Sequence, residues 1–198
     1  MPRSTVATRS PLLTRGLRLE YATLGWNVVG VIVVAVAALR AQSVALAGFG
    51  LDSLIEIFAS VVVVWDLTGA PHEREERALR LIGAAFFALA VYLLAQTAVV
   101  LLAHARPAPS PLGIVWLAIT AAAMFLLAWG KRRTGRQLGN PVLAKEAGVT
   151  IVDGLLAVAV LIGLILNAGF GWWWADPLAG LVIIAYGLRE GWTAWREA

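Results

Sequence analysis

The chain predicts an all-α membrane protein, a six-transmembrane-helix bundle with both termini cytoplasmic. Three observations carry this expectation. First, its 198 residues are 60% hydrophobic and only 14% charged, whereas soluble domains are about 25% charged. The mean hydropathy is +0.80, and a domain of this size keeps too much surface in water to hide so much apolar side chain. Second, the sequence holds six apolar runs, at 20–39, 43–65, 79–103, 112–130, 142–167 and 174–191, of the length (about 20 residues) that crosses a bilayer. Third, the basic residues alternate. Arg3, Arg9, Arg15 and Arg18 precede the first run, Arg74, Arg77 and Arg80 lie in or beside the second loop, Lys131, Arg132, Arg133 and Arg136 fill the fourth, and Arg189 and Arg196 end the chain. The intervening loops hold only Arg40 and Arg106. Every basic cluster shares one side only if there are six spans with both ends inside.

The elements follow in order. Residues 1–18 read as a basic cytoplasmic tail. The first run starts too late and is too long to be a cleaved signal peptide. Residues 19–195 form the membrane domain, with a tight turn at 40–42 and loops at 67–78, 104–111, 131–141 and 167–173. Such short connections make neighbours antiparallel and the bundle compact. Trp172, Trp173 and Trp174 stand where an outer aromatic belt belongs. Asp176 before Pro177 reads as a helix start. Gly25, Gly30, Gly48, Gly50, Gly180 and Gly187 inside the runs suit close helix approach. No cytoplasmic domain is expected after the sixth span.

Composition excludes several functions. There is no Cys, hence no disulfide framework and no thiolate metal site, and there are only two His. A net charge of +4 spread in short clusters between apolar runs fits a bilayer rather than nucleic acid. His72 and His104 read as solvated loop residues.

Acids inside a membrane are costly and mark function by default. Asp52 and Glu56 lie in the second run and Asp153 in the fifth. Asp52 and Glu56 are one helical turn apart on one face. Adjacent carboxylates in a low dielectric share a proton or hold a cation, and Asp153 would complete an anionic oxygen cage. No Lys or Arg is expected mid-span, which argues against a buried salt bridge. Asn27 and Gln96 read as ligands or, more commonly, interhelical hydrogen-bonding groups. Glu146 lies two turns before Asp153 on the same face, either gating the cytoplasmic mouth or, beside Lys145, solvated at the interface. Glu20 and Glu190 read as interfacial.

These residues resemble the cation diffusion facilitator (cation efflux) family. Ser43-Val44-Ala45-Leu46-Ala47 leading to Asp52-Ser53-Leu54-Ile55-Glu56 is similar to that family's second membrane helix. Lys145-Glu146-Ala147 through Asp153 is similar to its fifth, Ala175-Asp176-Pro177-Leu178-Ala179-Gly180-Leu181 to the start of its sixth, and Asn27 to a frequent Asn of its first. The resemblance implies six helices with cytoplasmic ends. It also implies divalent metal efflux from the cytoplasm in exchange for protons, through a tetrahedral site whose ligands map to Asp52, Glu56 and Asp153. The family's usual fifth-helix His falls on Val149, leaving a position for water, Thr150 or Glu146. The loop at 131–140 is basic rather than His-rich. An all-oxygen donor set favours manganese, magnesium or ferrous iron, with zinc and cobalt still open. The cation is then substrate, with no resident cofactor. Partners are the bilayer, divalent cations and protons, with a homodimer held by membrane helices.

The expected mechanism is alternating access, in a plasma (inner) membrane. Two other classes stand beside it. An intramembrane aspartyl protease would need Gly-x-Gly-Asp, and Gly48-Phe49-Gly50-Leu51-Asp52 carries an extra Leu, so the chain reads as no enzyme. The stronger rival is a degenerate facilitator acting as a non-transporting membrane partner or regulator.

Overall fold

A computed structural model describes residues 3–67, 75–104, 106–139 and 141–197. His72, Arg74 and the centre of the second loop lie outside the described residues, as do the side chains of Arg3, Arg9, Arg77 and Lys145. The described residues hold six helices and no strand: α1 (Arg3–Ala41), α2 (Val44–Leu67), α3 (Glu75–Leu102), α4 (Pro111–Leu138), α5 (Pro141–Phe170) and α6 (Ala175–Glu197).

Local chemistry sets the helix ends. Ser110 caps α4 by accepting from Gly113 N at 3.2 Å, and Pro111 fills the first helical position, where its missing N–H is not needed. Gly139 closes α4 in the left-handed conformation at φ 65°. Gln42, at φ 53°, makes the tight turn into α2.

Two boundaries differ from expectation. The predicted tail is helical from Arg3 onward and continues into α1 through Pro11. Gly16 lies against α5, where a Cβ would stand 3.1 Å from Leu143 Cδ2. The predicted loop at 131–141 is mostly helix, because α4 carries on to Leu138. Only the Gly139 turn separates it from α5.

Helices α1, α2, α5 and α4 form a ring, each touching the next, and α3 pairs closely with α6, which in turn meets α2 and α5. Glycine allows the α3–α6 pair its closeness: a Cβ on Gly191 would stand 3.1 Å from the Gly83 carbonyl oxygen. Across α1 and α4, Trp26 stacks on Trp116 with ring centroids 5.2 Å apart and donates to Thr120 Oγ1 at 3.2 Å.

The polarity of this bundle is inverted relative to a protein in water. Large apolar side chains such as Ile32, Leu39, Val91, Leu126 and Trp129 face outward, while Glu20, Asn27, Asp52, Glu56, Lys131, Glu146, Asp153 and Asp176 are buried. An apolar exterior around a polar interior is what a lipid solvent selects. Among the described residues, three stretches are long and apolar enough to cross a membrane: Pro11–Ala41, Pro111–Leu138 and Glu146–Phe170. Phe86–Leu102 is a shorter apolar helix. Trp172 and Trp174 stack 5.2 Å apart beside the α5–α6 turn, both exposed. The Arg133 and Arg196 guanidinium groups lie over the Trp129 and Trp192 rings at 5.6 and 5.1 Å.

Candidate metal centre

α2 presents Asp52 and Glu56 inward on one face, and α5 presents Asp153 toward them. All three are buried, with Asp153 only 2% exposed. Gly154 lets α4 close on α5 at this level, since a Cβ there would meet Phe125 Cε1 at 3.0 Å. Ser53 donates to Phe49 O at 3.0 Å within its own helix, leaving the carboxylates as the polar content of this face of α2. Asn27 of α1 donates to Glu56 Oε2 at 2.9 Å, so it ties α1 to α2 through a candidate ligand.

Asp52, Glu56 and Asp153 lie within electrostatic reach of one another. Ionised carboxylates only accept. Asp52 Oδ1 and both Asp153 oxygens accordingly have no hydrogen-bond partner although they are buried. Buried acceptors without donors are costly, and a proton or a cation is what would satisfy them. Yet the expected cage is not closed. Among the described residues, no three His, Asp or Glu side chains are drawn together tightly enough to enclose a metal ion. α6 adds Tyr186 and Glu190 within electrostatic reach of Asp52. Tyr186, which also packs edge-on to Phe86 at 5.8 Å, was not marked by the sequence.

A second polar cluster takes in Lys131, which was expected in the fourth loop, and forms a buried salt bridge where none was expected. Lys131 is 0% exposed. Its Nζ lies 3.1 Å from Glu20 Oε2 of α1 and donates to Glu146 Oε1 at 3.0 Å and Thr150 Oγ1 at 3.1 Å, both of α5. Glu20 and Glu146 are therefore buried ion-pair partners rather than solvated interfacial acids. Thr150, whose hydroxyl donates to Glu146 O at 3.1 Å, and Glu146 are drawn to the ammonium rather than to the position left by Val149. Arg132, Arg133 and Arg136 remain exposed, so the basic cluster is split, with one member turned inward. Periodicity held the signal: the buried positions of α4 run Leu117, Thr120, Ala121, Met124, Ala128, Lys131, Thr134 and Gly135, and Lys131 falls on that stripe.

Asp176 stands in the first turn of α6, as expected, and does more than start that helix. It is 0% exposed and accepts from the Ser43 hydroxyl, from Val44 N at 3.1 Å and from Ala45 N at 3.4 Å. It thus caps the start of α2 from α6, while Ser43 Oγ accepts from Leu46 N at 3.1 Å. Gln96 is half-buried and donates to Tyr92 of its own helix at 3.2 Å, not across helices. His104 is exposed at the end of α3.

An apolar exterior around a polar interior defines the class as a helical membrane protein. Residues 21–198 match the model of the cation efflux transmembrane domain, and the chain belongs to that family of integral membrane cation transporters. It is similar to an uncharacterized transporter of Synechocystis sp., 27% identical over 205 residues that cover 97% of this chain and 59% of that protein. The chain thus spans under two thirds of that relative's length.

Proposed function

We propose that the chain crosses the plasma (inner) membrane six times with both ends in the cytoplasm. It exports a divalent cation in exchange for protons through Asp52, Glu56 and Asp153. The observation that carries this reading is the set of buried acceptors facing one another without donors, Asp52 Oδ1 and both oxygens of Asp153. The cation enters from the cytoplasmic side and displaces protons from the carboxylates. The ring rocks, the site opens outward, and protons reload it. Among the described residues the three carboxylates are near one another but not drawn together tightly enough to enclose an ion; closing α2 on α5 gathers them around it. Oxygen donors alone favour manganese, magnesium or ferrous iron over softer ions. A homodimer would be held by membrane helices.

Asp153→Asn in proteoliposomes tests the reading. Metal-coupled proton flux is abolished if it holds, and flux equal to wild type rejects it. Val149 at the α5 position of a family His, together with the open carboxylate set, favours a second reading: a non-transporting membrane partner. Such a protein would show no cation-dependent thermal stabilisation across zinc, manganese, cobalt and iron.

A further inference from the structure

Transport through the three carboxylates leaves the Lys131 cluster without a role. Its parts come from three helices: Glu20 from α1, Lys131 from α4, Glu146 and Thr150 from α5. Two carboxylate oxygens and a hydroxyl surround the ammonium at 3.0 to 3.1 Å, an all-oxygen shell suited to any small cation. The shell is not saturated. Glu20 Oε1 is buried without a partner, as is the hydroxyl of Thr134, one turn beyond Lys131. Glu146, Thr150 and Asp153 are spaced by four and three residues, so they line one face of α5. The stripe runs from the ion pair to the carboxylate site over about 10 Å of helix rise. Lys131 lies within electrostatic reach of Glu56 and Asp153.

A buried ion pair is weak evidence for stability, because desolvation offsets most of the attraction. This one sits on the cytoplasmic side of the carboxylates in the proposed topology, on the same face of α5 as Asp153. Resting on that transport reading, we propose that Glu146 is a receiving ligand for the divalent cation. Lys131 serves as its tethered stand-in, releasing Glu146 when a cation arrives and reclaiming it after the cation passes to Asp153. The ammonium thereby keeps the entry neutralised between cycles, without a free ion.

Two variants of the full chain in proteoliposomes, assayed with manganese and with zinc, test this. Glu146→Gln keeps an acceptor for Lys131 but loses the charge; the expected result is a rise in KM of about tenfold or more with thermal stability near wild type. The charge swap Lys131→Glu with Glu146→Lys keeps one cation among two acids and so keeps the helices tied, but it moves the carboxylate off α5. Its expected result is a folded protein with flux reduced about tenfold or more. Wild-type KM in Glu146→Gln, or wild-type flux in the swap, overturns the proposal and leaves the cluster as a helix tie. Absence of flux in the wild type, or full flux in Asp153→Asn, rejects the carboxylate-site reading instead, and the first of these removes the entry ligand with it.

Discussion

Asp176 and Asp153 are both buried aspartates, 0% and 2% exposed, on adjacent helices of one bundle, yet their surroundings are opposite. Asp176 receives one hydroxyl and two backbone N–H groups and joins the start of α6 to the start of α2. Asp153 receives no donor at either oxygen and faces two further acids. A carboxylate retained for architecture comes with its donors, because burying it otherwise is expensive. Under the proposed function, one left without donors is kept for a cation or proton that comes and goes. Burial alone does not separate the two; the count of donors does.

The contrast makes graded predictions. The largest effect belongs to Asp176→Ala, which strands three donors of α2; it should lower stability by about 3 kcal/mol, since hydrogen bonds to a charged group are worth about 1.5–3 kcal/mol and stranded partners add to the loss. Thermal unfolding in detergent reads this directly, and an unchanged midpoint would erase the distinction. Next comes the response to cation. Manganese at about a hundred times its dissociation constant should stabilise the wild type by about 2.7 kcal/mol, and Asp153→Asn should lose that gain. A variant that retains it would show that the bound ion lies elsewhere. Ser43→Ala removes a cap and one donor to Asp176, for a loss of about 1 kcal/mol. The smallest loss is that of Asp153→Asn without metal, which should be no less stable than wild type, because the amide removes a buried charge and offers donors to the facing acids. A loss there comparable to that of Asp176→Ala would mean that Asp153 also serves architecture.

The sequence made much of this legible, and unevenly. Hydropathy located the six helices because apolar runs are local. The i, i+4 spacing of Asp52 and Glu56 placed them on one face, and the structure brings Asp153 within electrostatic reach of them. Asn27 proved to be an interhelical tie that ends on Glu56. What stayed hidden was which polar residue meets which. Ser43 and Asp176 are 133 positions apart, and both stood in recognised motifs without any sign that they bond to each other. Lys131 sits at the edge of an apolar run, where a hydropathy window ends and a basic cluster begins, so it was assigned to a loop. Its partner Glu20 sits at the opposite edge of another run. Two residues at run edges look solvated when read singly, and only the helix periodicity of α4, carried one turn further, turns Lys131 inward.

The contact of α3 with α6 at Gly191 has a mechanical consequence. Main chain rests on main chain there, and no side chain stands between Gly191 and the Gly83 carbonyl as a cushion. The two helices amount to one strut, and Tyr186, near Asp52, rides on it. Gly191→Ala drives a methyl wedge against that carbonyl, which must yield by a few tenths of an ångström, and against Phe86 Cβ and Phe87 Cε1 at 3.3 Å, prying the strut open at one end.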